Sequence, residues 1–218
     1  RDLRMSRGLG DVYKRQAANC EKVPANGATN FYEACQSFII TQMILQVESS
    51  GHSESPGRFD QYMYPYYKHD RENGVSDQDI LEIIESLWLK FNEIVYMRNS
   101  NSAKFFAGFP IGFNIAVGGQ DENGEPYENE LSYLFLKSQE HIGLPQPNLS
   151  VRLCEKTSDK LLKAAIKVVS LGSGMPQFFN DKAVVPAMIE DLKVEPKDAR
   201  NYAIVGCVEL TTQGDNLG

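Results

Sequence analysis

The sequence predicts an α/β protein built on a largely parallel sheet. Segments with helical apolar spacing alternate along the chain with short apolar or β-branched strands, and parallel neighbours require such crossover connections. No fixed-period repeat and no low-complexity linker interrupts the alternation, so one domain, or part of one, is expected over the 218 residues. A barrel and an open sheet fit this pattern equally.

The elements follow in order. From about Asn30 to Glu48, Phe31, Ala34, Phe38, Ile39, Met43, Leu45 and Val47 recur without glycine or proline, which predicts a largely buried helix ended by Ser49-Ser50-Gly51. Gly51 to Tyr67 reads as a loop too aromatic for a linker, its tyrosines Tyr62, Tyr64, Tyr66 and Tyr67 serving core or subunit packing. Ser76 and Asp79 approximate a capping box, and Ile80, Ile83, Ile84, Leu87, Trp88, Phe91, Ile94 and Val95 keep helical spacing to about Met97. A strand at Phe113 to Val117 precedes a turn at Gly118 to Gly124, and a helix from about Asn129 to His141 stops at Gly143. Leu149 to Leu153 alternates as a strand. A helix near Ser158 to Leu171, a turn at Gly172-Ser173-Gly174, a strand at Gln177 to Phe179, a helix near Lys182 to Leu192 and a strand at Tyr202 to Val205 complete the series.

Composition narrows the function. The chain is 42% hydrophobic with a formal net charge of −7, so it lacks the basic footprint that a nucleic-acid phosphate backbone demands. Apolar runs such as Phe38 to Leu45 are too short to span a bilayer, and a cytoplasmic setting is expected. Cys20, Cys35, Cys154 and Cys207 form no C-x-x-C pair and read as free thiols. With three histidines in all, a histidine-rich metal site is not expected.

Arg1 to Gln16 stands apart. Asp11-Val12-Tyr13-Lys14-Arg15-Gln16 resembles a peptide encoded by a transposase adapter used in sequencing-library preparation. Residues 1–16 are therefore expected to be non-native and residues 17–218 natural; an uninterrupted genomic reading frame through Gln16 would overturn this.

The segment richest in chemistry is Asn201-Tyr202-Ala203-Ile204-Val205-Gly206-Cys207-Val208-Glu209, a buried strand running into a cysteine and a carboxylate. Sites in parallel sheets form at the carboxyl ends of strands. If the chain stays extended past Gly206, Cys207 and Glu209 point the same way into one pocket. Spacing alone favours the plainer reading, with Cys207 a small buried apolar residue and Glu209 the start of a solvated loop. An adjacent carboxylate favours the protonated thiol, which suits hydrogen-atom transfer better than acylation.

Gly206-Cys207-Val208-Glu209 with Asp198 to Val205 before it resembles the cysteine-loop motif of glycyl radical enzymes, in the glycerol and diol dehydratase branch of the pyruvate formate-lyase superfamily. Four further stretches resemble the same branch: Glu48 to Ser53, Pro56 to Tyr62, Pro147 to Arg152 and Gly172 to Asp181. The resemblance runs from about Phe31 to Gly218 and implies a partial pyruvate formate-lyase-like domain, part of a ten-stranded β/α barrel. It further implies that Cys207 carries a thiyl radical that takes a hydrogen atom from the substrate. Glu209 would be the general base, and His52 and Ser53 would hydrogen-bond substrate hydroxyls. The unpaired electron would come from a glycyl radical whose glycine lies outside this chain, installed by a radical S-adenosylmethionine activating enzyme. A small polyol or amino alcohol as substrate and a homodimeric parent are implied as well.

Departures from the family are informative. Formate-forming members carry two adjacent cysteines, whereas Gly206 precedes Cys207, so acetyl transfer is disfavoured. The expected parent is an anaerobic carbon–oxygen or carbon–nitrogen lyase. Formate C-acetyltransferase activity and an inactive structural homologue are the alternatives. The chain alone is expected to be inactive and prone to aggregate through unpaired strand edges and apolar helix faces.

Overall fold

The computed structural model describes residues 2–213 except 50, 96 and 109, with side chains described from residue 10 onward. Ser50 of the expected helix stop, and the end of the family resemblance after residue 213, lie outside this range.

Two helices open the chain, α1 (Asp2–Lys22) and α2 (Phe31–Ser49). The first half of α2 is buried as expected, through Phe31, Ala34 and Cys35, with the Phe38 ring edge-on to Phe59 at 4.9 Å. Its second half corrects the expectation of a largely buried helix, since Met43, Ile44, Leu45 and Val47 are exposed. The buried stripe there consists of Gln42 and Gln46, whose amides donate to Glu54 O and Gly51 O, both at 2.7 Å. A loop needing hydrogen bonds has displaced an apolar partner from that face.

The stretch expected as loop contains two short helices, α3 (Phe59–Tyr62) and α4 (Tyr64–Glu72). Pro65 near the start of α4 fixes a helical φ where no amide partner is needed. Tyr67 is buried and stacks on Tyr64 at 5.7 Å, whereas Tyr62 is half exposed. Helix α5 (Asp77–Glu93) starts at a complete Ser76/Asp79 capping box and buries Ile80, Ile84, Leu87, Trp88 and Phe91. It stops short of Met97, because Ile94 turns extended and the β-branched pair Ile94-Val95 favours that conformation. Helix α6 (Ser100–Phe106), capped by Asn99, is an addition to the sequence reading.

The remaining order is β1 (Asn114–Gly118), α7 (Glu130–Ile142), β2 (Asn148–Leu153), α8 (Asp159–Val169), β3 (Gln177–Asn180), α9 (Asp181–Glu190), α10 (Pro196–Arg200), β4 (Ala203–Val205) and β5 (Glu209–Thr211). Strands β1, β2 and β3 form a parallel sheet in that order, with Ile115 opposite Leu149 and Val151 opposite Phe178. Strands β4 and β5 form a separate antiparallel hairpin. The α/β prediction with parallel pairing matches this sheet; β5 and α10 were not foreseen.

The two faces of the sheet differ in chemistry. Ile115, Val117, Leu149 and Val151 join Phe91, Trp88, Phe135 and Leu161 in the main apolar core beneath the helices. On the other face Ala116 packs with Tyr202 and Ile204 of the β4 segment and with Val185, Met188 and Ala199. The polar alternates of β2, Ser150 and Arg152, are fully buried rather than solvated. Arg152 meets Asp181 through two bonds, Nε to Oδ1 at 3.0 Å and Nη2 to Oδ2 at 2.8 Å. It also donates to Tyr202 O at 2.9 Å and Arg200 O at 2.8 Å, while its guanidinium lies 3.8 Å from the Tyr202 ring centroid. Tyr202 Oη in turn donates to Asp181 Oδ1 at 2.8 Å. This satisfied ion pair ties the start of β4 to β2 and α9. Arg58 is held to Gly118 O at 3.0 Å and Gln120 O at 2.8 Å; burial, aided by the like charge of Arg152, depresses its pKa to about 10. Among the described residues no helix is long and apolar enough to cross a membrane, and no group of three or more His, Cys, Asp or Glu could hold a metal ion.

Candidate active site

The chain does not stay extended past Gly206, which corrects the alternation argument for Cys207 and Glu209. Gly206 adopts φ +61°, the left-handed region open to glycine, and residues 206–208 form the turn of the β4–β5 hairpin with Val205 opposite Glu209. Cys207 stands in the turn and Glu209 begins β5. Both are exposed, which corrects the reading of Cys207 as a small buried apolar residue: Ala203 and Ile204 are buried, but neighbouring Val208 and Leu210 are exposed too, so nothing in the described residues covers the outer side of the turn.

The turn itself brings Glu209 back to the cysteine. One carboxylate oxygen of Glu209 accepts from the Val208 amide at 3.1 Å. The amides of Val208, of Glu209 itself and of Cys207 hold its carboxyl below the usual carboxylate range, and His52 adds a smaller electrostatic pull in the same direction. Glu209 is therefore ionised at neutral pH, beside the peptide of Cys207.

Ser53 packs against the same turn. A side chain at Gly206 would meet Glu209 Oε2 at 2.9 Å and Ser53 Oγ at 2.9 Å, and one at Gly112 would meet Ser53 Oγ at 3.2 Å. Ser53, at φ +68°, is left-handed without being glycine, a conformation that costs about 1–2 kcal/mol. Its hydroxyl donates to Ile111 O at 3.0 Å, its carbonyl accepts from Ser55 Oγ at 3.1 Å, and Gln42 and Gln46 fix the backbone on either side. His52 lies next along, its ring centroid 6.3 Å from that of Phe106. Cys207, Glu209, His52 and Ser53, singled out from sequence, are thus gathered at one end of β1 and β2.

Three further residues escaped the sequence reading. Ser55 Oγ accepts from the Gly206 amide at 3.2 Å, while Asn114 Nδ2 and Asn148 Nδ2 donate to the Gly206 carbonyl at 3.0 and 3.4 Å. Asn114 and Asn148 are register partners at the starts of adjacent strands and are buried. A signal existed: asparagine is depleted in strands, and here it opens two of them.

Comparisons with known proteins give the family of the chain. Residues 12–218 match the pyruvate formate lyase-like family. The chain belongs to that family. It is 41% identical over 209 residues to "Probable dehydratase YbiW" of Escherichia coli (strain K12), covering 94% of this chain and 26% of the relative. It is 37% identical over 199 residues to the isethionate sulfite-lyase of Bilophila wadsworthia, covering 90% of this chain and 24% of the relative. Its fold matches the glycerol-bound B12-independent glycerol dehydratase from Clostridium butyricum with a TM-score of 0.86 at 43% identity, over 91% of this chain and 25% of that one. This pyruvate formate lyase-like chain thus spans about a quarter of the length of the relatives it matches.

Proposed function

We propose that this chain carries the reacting cysteine loop of a glycyl radical dehydratase or lyase that acts on a small polyol or amino alcohol. The observation that carries this reading is the contact of the Gly206–Val208 turn with both Ser53 and the ionised Glu209. A glycyl radical held elsewhere in the parent, installed by a radical S-adenosylmethionine enzyme, supplies the unpaired electron when present. The exposed position of Cys207 in the turn is compatible with its sulfur being reached.

In the proposed reaction the Cys207 thiyl takes a hydrogen atom from a substrate carbon bearing a hydroxyl, forming S–H and a carbon radical. Removing that atom acidifies the hydroxyl, and the Glu209 carboxylate accepts its proton. The neighbouring hydroxyl leaves as water with that proton, or an amine leaves in the corresponding way, and the carbonyl-bearing radical takes the hydrogen back from Cys207. The thiyl is regenerated and the net change is elimination, with no external oxidant or reductant. His52 and Ser53 orient the substrate hydroxyls. Radical chemistry requires that water be excluded, so we assign the cover over the exposed turn to parts of the parent protein beyond this chain. A homodimeric, cytoplasmic parent and a non-native origin for residues 1–16 belong to the same proposal.

Gly206 in place of a second cysteine argues against acyl transfer. The test is turnover of 1,2-diols and amino alcohols by the activated full-length protein. Cys207→Ser is expected to abolish turnover while the radical signal in electron paramagnetic resonance persists. Undiminished turnover by that variant defeats the reading.

A further inference from the structure

The Gly206 peptide is held at both of its polar atoms by residues that the proposed reaction does not use. Its amide is taken by Ser55 and its carbonyl by Asn114 and Asn148. Ser55 is shared: the same hydroxyl accepts from the Asn114 amide at 3.0 Å and donates to Ser53 O at 3.1 Å. One oxygen thereby joins the segment carrying Ser53, the first strand of the sheet and the cysteine turn. Asn114 is fully buried, and its Oδ1 has no hydrogen-bond partner. An unpaired buried carbonyl costs roughly 1–3 kcal/mol, so this side chain is poorly explained by stability. What it does contribute is the bond from Nδ2 to Gly206 O.

We infer that Ser55, Asn114 and Asn148 form a positioning clamp on the Gly206 peptide, which sets where the turn carrying Cys207 stands relative to Ser53. None of the three touches the reacting atoms. Their effect is on geometry, and a displacement of about 1 Å between a reacting group and its target can cost on the order of a hundredfold in rate. The inference rests on the reading of Cys207 as the hydrogen-abstracting residue, and the test separates the two.

Asn114→Ala and the milder Asn148→Ala, which removes the longer bond, are made in the full-length protein. In the unactivated variants, amide hydrogen exchange at 206–208 is expected to rise at least about tenfold, with β1 and β2 protected as in the parent. After activation, with glycerol and 1,2-propanediol as probes, kcat is expected to fall roughly 10- to 100-fold with KM within about threefold. Radical content should be unchanged, and the deuterium isotope effect on kcat should increase. Unchanged exchange in both variants overturns the clamp, and faster exchange with an unaltered kcat overturns its role in positioning. Should the unsubstituted activated protein fail to turn over either probe, that failure falls on the reading of Cys207, while the exchange measurement still decides the clamp.

Discussion

The two faces of the β1–β2 pair are built from different chemistry in the same ten or so residues. Toward the helices, Ile115, Val117, Leu149 and Val151 sit in an apolar core, where burial contributes about 25 cal/mol per Å² and no direction. Toward β4, the alternate residues Asn114, Asn148, Ser150 and Arg152 are equally buried but polar, and three of them hydrogen-bond the segment that carries Cys207. Apolar contact holds a sheet together without fixing where a loop points, whereas hydrogen bonds and ion pairs have defined angles. One face contributes cohesion alone; the other contributes cohesion and direction.

Substitutions test that division. The largest effect on stability is expected for Asp181→Ala, about 3–5 kcal/mol, because Arg152 is left buried and uncompensated. The shift in denaturant midpoint measures it, and loss of turnover beyond the loss of folded protein should accompany it. Leu149→Ala, on the helix-facing side, is expected to cost roughly 2–5 kcal/mol with turnover per folded molecule unchanged. A specific loss of activity in that variant would break the comparison. Ser76→Ala removes the cap of α5, far in sequence from the turn, and should cost about 1 kcal/mol with no effect on rate. Ser150→Ala is expected to stay within about 1 kcal/mol of the parent, because the buried Ser150 hydroxyl has no hydrogen-bond partner to lose. Turnover that collapses in this variant would show that the hydroxyl aims something too.

Acid titration separates a third, peripheral region. Although partial burial pushes Glu33 up, hydrogen bonds from Lys22 and Thr29 outweigh it and bring its pKa to about 2, against 4.5 unperturbed. A depressed carboxylate stabilises the fold above its unfolded pKa, so this contribution is complete above about pH 5 and fades as pH falls toward 2. Glu33→Gln should flatten stability across that window and leave the turn's hydrogen exchange untouched.

Local signals made much of this legible. Helices α5 and α7 could be placed because Ser76/Asp79 marks the start of the first, and Asn129 and Gly143 mark both ends of the second. The exposed half of α2 was hidden because its partner is the carbonyls of residues 51 and 54 rather than apolar side chains. The β4–β5 hairpin was missed because it hinges on one left-handed glycine, and three-residue strands carry little periodicity. Cys207 and Glu209 stand out through a contiguous motif. Asn114 does not, since its bond to Gly206 spans 92 residues and exists only once the sheet has formed.

The hydrogen of the Ser53 hydroxyl is committed to the Ile111 carbonyl, leaving only lone pairs free. Any molecule that docks on that oxygen must bring its own proton to share. On the proposed reading of Ser53 as a substrate contact, alcohols and ammonium groups would satisfy this condition and simple ethers and ketones would not, so a single intramolecular bond would act as a chemical filter.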